Sequence, residues 1–113
     1  MDILTHNISR ATLTKIAKNR FGNLVKAVVD VRKHIMVIDA DMHADEEAAL
    51  IANGSNQDDL WGINLYPEFS GEDFIEFDSM INLRPSAGNN TRGVDKPETQ
   101  LVIRAVVNAL VSE

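Results

Sequence analysis

Apolar and polar residues alternate from Leu24 to Val31, with Val25, Ala27, Val29 and Val31 on one side and Lys26 and Asp30 on the other. A repeat of two marks a half-buried strand. Arg32-Lys33-His34 reads as a tight connection into a second strand, Ile35 to about Ala40, where Met36, Ile38 and Ala40 alternate with Val37 and Asp39. The two runs look like a hairpin. A third strand, Leu60–Tyr66, aligns Trp61, Ile63 and Leu65 and stops at Pro67. Phe74–Leu83 is the longest strand candidate: Ile75, Phe77, Ile81 and Leu83 face one way, Glu76, Asp78 and Asn82 the other, and Ser79 breaks the apolar row.

Three segments carry helical spacing instead. Ser9 is placed to cap a first helix with Leu13, Ile16, Ala17 and Arg20 on one stripe, closed by Gly22 in a left-handed conformation. Asp41 or Asp45 is placed to cap a short helix over Ala44–Ala52, ended by Asn53-Gly54, with Asp45, Glu46 and Glu47 near its positive end. Pro97 opens the last helix, with Asp95 and Glu98 spaced as cap and partner and Val102, Ala105, Val106, Ala109 and Leu110 as its buried stripe. Arg84 to Lys96 has no periodicity and reads as a loop. The order α-β-β-α-β-β-α predicts an α+β domain, a four-stranded, mainly antiparallel sheet with helices packed on one face.

With 113 residues, the chain is long enough for one domain with its own core. No cysteine is present, which excludes disulfides, thiolate zinc sites and cysteine nucleophiles. No stretch approaches the roughly 20 apolar residues of a membrane helix, and the start lacks the basic and apolar regions of a secretory signal. A cytoplasmic location is the expectation. The net charge of −6 conceals a division into blocks: residues 1–34 hold seven bases and two acids, residues 35–78 hold twelve acids and no Lys or Arg, and residues 79–113 hold four bases and three acids. Opposite blocks suit self-association, so a homodimer is expected.

Alternation collects Lys26, Asp30, Asp39, Asn64, Glu76, Asp78 and Asn82 on the sheet face left open by the helices. Such a face reads as plain solvated surface, as a surface for a partner, or as a place for acid–base chemistry or a cation. The acidic run Asp39-Ala40-Asp41-Met42-His43-Ala44-Asp45 spaces oxygen donors as a calcium loop does. It fails as one, because Ala44 and Leu50 stand where that loop needs Gly and Glu. His43 and Glu47 share a helical face but lack a third zinc ligand of clear spacing. No metal site is assigned, and no motif identifies a cofactor.

The segment Arg84–Gly93 combines two guanidiniums with Ser86, Asn89, Asn90, Thr91 and glycines, and it runs toward the N-terminus of the last helix. Guanidiniums hold phosphate or carboxylate by paired donors, and a helix start favours negative charge. The alternative is that both arginines pair with the acidic block. No Walker A ending and no nucleophile elbow is present.

His43-Ala44-Asp45-Glu46-Glu47, Leu60-Trp61-Gly62-Ile63-Asn64-Leu65-Tyr66-Pro67 and Ile75-Glu76-Phe77-Asp78-Ser79-Met80-Ile81-Asn82-Leu83-Arg84-Pro85-Ser86 together resemble a family of small prokaryotic proteins known only as a domain of unknown function. The resemblance covers nearly the whole chain from Phe21 onward. It implies a stand-alone cytosolic domain and supplies no activity or site. The residues themselves point to a binding or interaction module that holds an anionic ligand or a protein partner through Arg84, Ser86, Asn89, Thr91, Arg92, Asp78 and Asn82. Two other readings compete with it. One is a metal-dependent hydrolase using Glu76 and Asp78, with or without Asp39; the other is nucleic-acid binding by Arg10, Lys15, Lys18 and Arg20 of the first helix, although the acidic block opposes it.

Overall fold

The predicted hairpin lies at the centre of the sheet. The computed structural model describes residues 1–113 and runs β1 (Asp2–Leu4), β2 (Ile8–Ser9), α1 (Arg10–Arg20), β3 (Val25–Asp30), β4 (Ile35–Ile38), α2 (His43–Ala52), β5 (Leu60–Leu65), β6 (Ile75–Glu76), α3 (Pro97–Leu110) and β7 (Val111–Ser112). β3 pairs with β4 on one side and β5 on the other. The Asp30 carboxylate fixes the turn between β3 and β4, accepting the Arg32 and Lys33 amides at 2.9 Å and the Ser55 hydroxyl at 2.6 Å. That carboxylate is structural.

The sheet is antiparallel throughout, in the order β1-β4-β3-β5-β6, so the α+β class holds with five strands rather than four. The extra strand is Asp2–Leu4, three residues too few to display alternation on their own. A separate two-stranded clip pairs β2 with β7 in parallel and joins the start of α1 to the end of α3. Ser9 caps α1 by accepting the Thr12 amide, and Gly22 follows at φ 95°.

The helices divide between the two faces, which corrects the one-sided arrangement. Leu13 and Ala17 of α1 join Ile103, Val106, Val107 and Leu110 of α3 against Val25, Ala27, Val29, Met36, Ile38, Ile63 and Leu65. On the opposite face Leu50 of α2 packs on Val28, Val37 and Leu60. Those three residues interrupt the polar register with an apolar centre, and burying it favours a covering helix. On α3 the stripe is rotated by about one residue from expectation, with Val102 38% exposed and Ile103 fully buried. Two overlapping apolar stripes run along that helix, and the larger Ile103 and Val107 take the inside.

Neither Asp41 nor Asp45 caps α2. Met42 precedes the helix and offers it no side-chain bond. The Asp95 cap on α3 is also absent: Lys96 occupies that position, and Asp95 turns back to accept the Asn90 amide and the Thr91 hydroxyl. Those two bonds hold the Asp95 carboxyl below its usual range. The loop after Arg84 is a short 3-10 turn, Pro85–Ala87, closed by Gly88 at φ 84° and an Arg84–Asn89 bridge.

The largest departure is at Phe74–Leu83. Only Ile75 and Glu76 form a strand, after which the chain leaves the ladder and makes a 3-10 turn at Met80–Asn82 capped by the Ser79 hydroxyl. The Asn82 carboxamide takes the place of the missing strand. Its Oδ1 accepts the Gly62 amide at 2.8 Å, and its Nδ2 donates to the Gly62 carbonyl at 2.9 Å and to the Arg92 carbonyl at 2.9 Å. A Cβ built on Gly62 would lie 2.5 Å from Ser79 Cβ and Oγ. Glycine there is a condition of the close approach. Gly62→Ala is expected to lower stability by about 1–3 kcal/mol, the usual cost of forcing atoms into a filled interior, read by urea denaturation.

Glu46 lies wholly buried between α2 and the sheet, with no hydrogen-bond partner for either carboxyl oxygen. Burial pushes its pKa up to about 9, against weaker opposition from the Ala40 backbone, Lys26 and Arg20. The folded protein therefore holds a proton that the unfolded chain releases near pH 4.5. Stability falls as pH rises from that value toward 9, by roughly 3 kcal/mol at pH 7. Glu46→Gln is expected to melt above the parent at pH 7 to 8, with the gap closing toward pH 4; a pH-independent gap would contradict this.

Candidate functional site

Because α2 and the 3-10 turn at Met80–Asn82 both lie on the second face of the sheet, they leave a cleft between them. It encloses about 220 Å³ and is lined by Lys26, Met42, His43, Ala44, Asn64, Asp78, Ser79, Met80, Ile81 and Arg92. Strand register builds its floor, since Lys26 of β3 stands opposite Asn64 of β5, which stands opposite Glu76 of β6. Facing residues of paired strands hold their Cβ atoms about 5 Å apart on one face, so these three form a polar row.

Asn64 is only 7% exposed. Its Nδ2 donates to Glu76 Oε1 at 2.8 Å and to the Asp78 carbonyl at 3.3 Å. Both partners are acceptors, so the amide orientation is fixed and Oδ1 is the atom left over, without a hydrogen-bond partner. Tyr66 also donates to Glu76 Oε1, at 3.1 Å, and burial together with that carboxylate raises the phenol's pKa.

His43 is the first residue of α2, and its Nε2 lies 2.8 Å from the Ile63 carbonyl. A carbonyl only accepts, so Nε2 carries the proton and Nδ1 holds the lone pair of a neutral ring. Burial lowers its pKa, helped by the charge of Lys26, while the Ile63 bond, the Asp78 charge and a weak hydrogen-bonding interaction with Asn64 oppose it. Around it the helix start is open: the first-turn bonds begin with the Asp45 and Glu46 amides on the Met42 carbonyl, and the His43 and Ala44 amides have no backbone partner. Lys26 makes no ion pair; its ammonium lies 5.0 Å from the Phe21 ring centroid. Arg92 donates through Nε to Asp78 Oδ1 at 2.8 Å and uses neither Nη group.

The residues expected to act together in the 84–92 loop are dispersed. Arg92 and Asp78 reach the cleft. Asn82 is committed to Gly62, while Asn89, buried, donates to the carbonyls of Asn82, Thr91 and Gly93 and accepts the Asp95 amide. Thr91 is held by Asp95, and Ser86 is exposed on the 3-10 turn. Arg84 lies over the Trp61 ring at 4.4 Å and donates to three carbonyls, those of Ile81, Gln57 and Leu60. It forms no ion pair, and burial lowers its pKa. With Lys96 and Thr99 it lines a groove of about 190 Å³ that is separate from the cleft.

The groups named in the competing readings are engaged as well. Glu76 is held by Asn64 and Tyr66 and Asp78 by Arg92, and no three His, Asp or Glu side chains converge where a metal would need them. Asp39 sits at φ 69° and pairs with Arg20 at 3.0 Å. On the basic helix, Arg20 is taken by Asp39 and Asp41, and Arg10 by Glu113 and the carbonyls of Pro67 and Phe69. Lys15 and Lys18 are the cations of that helix left unpaired. Of the residues lining the cleft only Asp78 and Arg92 were in the expected binding set; Lys26, His43 and Asn64 are among those outside it. For Lys26 and Asn64 the signal was the strand alternation that placed them on one face; for His43 it was the start of a helix.

No helix is long and apolar enough to cross a membrane. No curated relative and no solved structure matches the chain. The family model of proteins of unknown function DUF5674 matches residues 2–110, nearly the whole length, and the chain belongs to that family.

Proposed function

We propose that this protein is a binding module for a small anionic ligand, held in the cleft at the start of α2 rather than around Arg84. The observation that carries the reading is Lys26, a cation without a carboxylate partner that shares the cleft with the free Nη groups of Arg92 and the open first turn of α2. Helix-start amides and fixed cations around a partly enclosed space favour a carboxylate or phosphate, and the low dielectric of the walls strengthens the attraction. Arg84 contributes less, because three backbone carbonyls already use its donors.

A ligand that binds the folded form alone at 100 times its Kd stabilises it by about 2.7 kcal/mol. Inorganic phosphate or acetate is therefore expected to raise the melting temperature in a saturable way at low ionic strength. Lys26→Ala is expected to weaken that response about tenfold, equivalent to about 1.4 kcal/mol. Arg84→Ala is expected to lower the melting temperature while keeping the response. No response from the parent, or a response lost in Arg84→Ala and kept in Lys26→Ala, would contradict the assignment.

A further inference from the structure

We infer that the protonation of His43 controls the anion affinity of the cleft, an inference that rests on the anion-binding reading of the same cleft and adds its regulation. The ring has acceptors from two consecutive residues of β5 beside it. Its Nε2 donates to the Ile63 carbonyl at 2.8 Å, and the Asn64 carboxamide, a weak hydrogen-bonding neighbour, has an Oδ1 without a partner. That carboxamide cannot turn round, because both bonds from its Nδ2 go to acceptors, Glu76 Oε1 and the Asp78 carbonyl. A neutral imidazole has one N–H and serves one acceptor; an imidazolium has two and serves both. Protonation therefore ties the first residue of α2 more firmly to the cleft floor.

The charged groups around the ring set when this happens. Burial and the ammonium of Lys26 on β3 favour the neutral form, and the opposing Asp78 carboxylate is already paired with Arg92 at 2.8 Å. Glu76 of β6 is occupied by Asn64 and Tyr66. On α2 itself Glu46 is buried and holds its proton at neutral pH, and Asp45 and Glu47 are not part of the cleft lining. The ring is thus neutral at pH 7 and takes its proton in mildly acid solution. Among the lining groups, two cations, Lys26 and Arg92, and one carboxylate, Asp78, leave a net charge of +1 with the ring neutral and +2 with it protonated. In a partly enclosed space the added charge acts strongly on an anion, and most on a dianion. The effect is reciprocal: a bound anion raises the proton affinity of the ring by the same factor.

The experiment is calorimetric titration of the full chain with sodium sulfate at pH 5.5 and pH 8 and fixed ionic strength, sulfate being an anion that does not itself titrate between those values. Sulfate is expected to bind roughly threefold more tightly, or better, at the lower pH, a modest effect for one added charge in a site open to solvent. In a parallel NMR titration of the imidazole nitrogens, saturating sulfate is expected to raise the His43 midpoint by about half a pH unit or more, the shift that threefold linkage requires, while His6 and His34 stay in place. His43→Gln, which keeps a side-chain donor and cannot take a charge, is expected to flatten the pH dependence. His34→Gln, on the exposed turn between β3 and β4, is expected to keep it. If sulfate binds equally at both pH values with the His43 midpoint unmoved, or if the dependence survives in His43→Gln, the inference fails and the anion reading stands. If sulfate binds at neither pH, both fail.

Discussion

A single carboxamide bridges the gap left where the sheet runs out of strand. Asn82 presents one acceptor and one donor to the amide and carbonyl of Gly62, as the backbone of a neighbouring strand would. The bonds satisfy β5 in a buried position, so the chain after Glu76 is free to leave the ladder and cross the second face. Gly62 permits this because any side chain would meet Ser79. The same arrangement brings in Arg92, whose carbonyl accepts from Asn82 Nδ2 and from the Ser79 amide at 2.9 Å. One wall of the cleft, and one of its cations, thus depend on the contact between Gly62 and Asn82.

The charge blocks acquire a different meaning once folded. Arg20 consumes part of the acidic block through Asp39 and Asp41, and Arg10 reaches Glu113. These pairs are partly exposed, and such pairs contribute little to stability. Their effect is on the field, since they cancel charge around α1 and leave Lys26 as the unpaired cation in the cleft. Glu46 withdraws a further negative charge from the start of α2 by holding its proton at neutral pH. A chain of net charge −6 therefore keeps an unpaired cation in this cleft, which is what the proposed anion site relies on.

The parts of the fold with a clear period were legible in the sequence. The hairpin of β3 and β4, β5 and its stop before Pro67, the Ser9 cap with Gly22, and the Pro97 start of α3 follow from alternation, capping chemistry and fixed backbone angles. Elements decided by tertiary partners were not. β1 is three residues long and exists because β4 has an open edge. Residues 77–83 alternate well enough for a strand, yet side-chain bonds to Gly62 outcompete the ladder. The second face was identified as polar, which was right for Lys26, Asn64 and Glu76 and blind to Val28 and Val37, whose burial draws α2 across it. Arginine content singled out the 84–92 loop, but composition cannot tell a guanidinium satisfied by carbonyls, as Arg84 is, from one with donors to spare, as Arg92 is.

The cleft at the start of α2 is the central claim, and the most direct test is a two-dimensional amide NMR titration of the parent protein with inorganic phosphate at low ionic strength. The account predicts that the backbone amides of His43 and Ala44 and the side-chain amide of Asn64 shift first and along one saturable curve, while Gly88, Asn89 and Thr99 beside Arg84 stay in place. Shifts confined to those last residues, or spread over Lys15 and Lys18 of α1 without saturation, would contradict it.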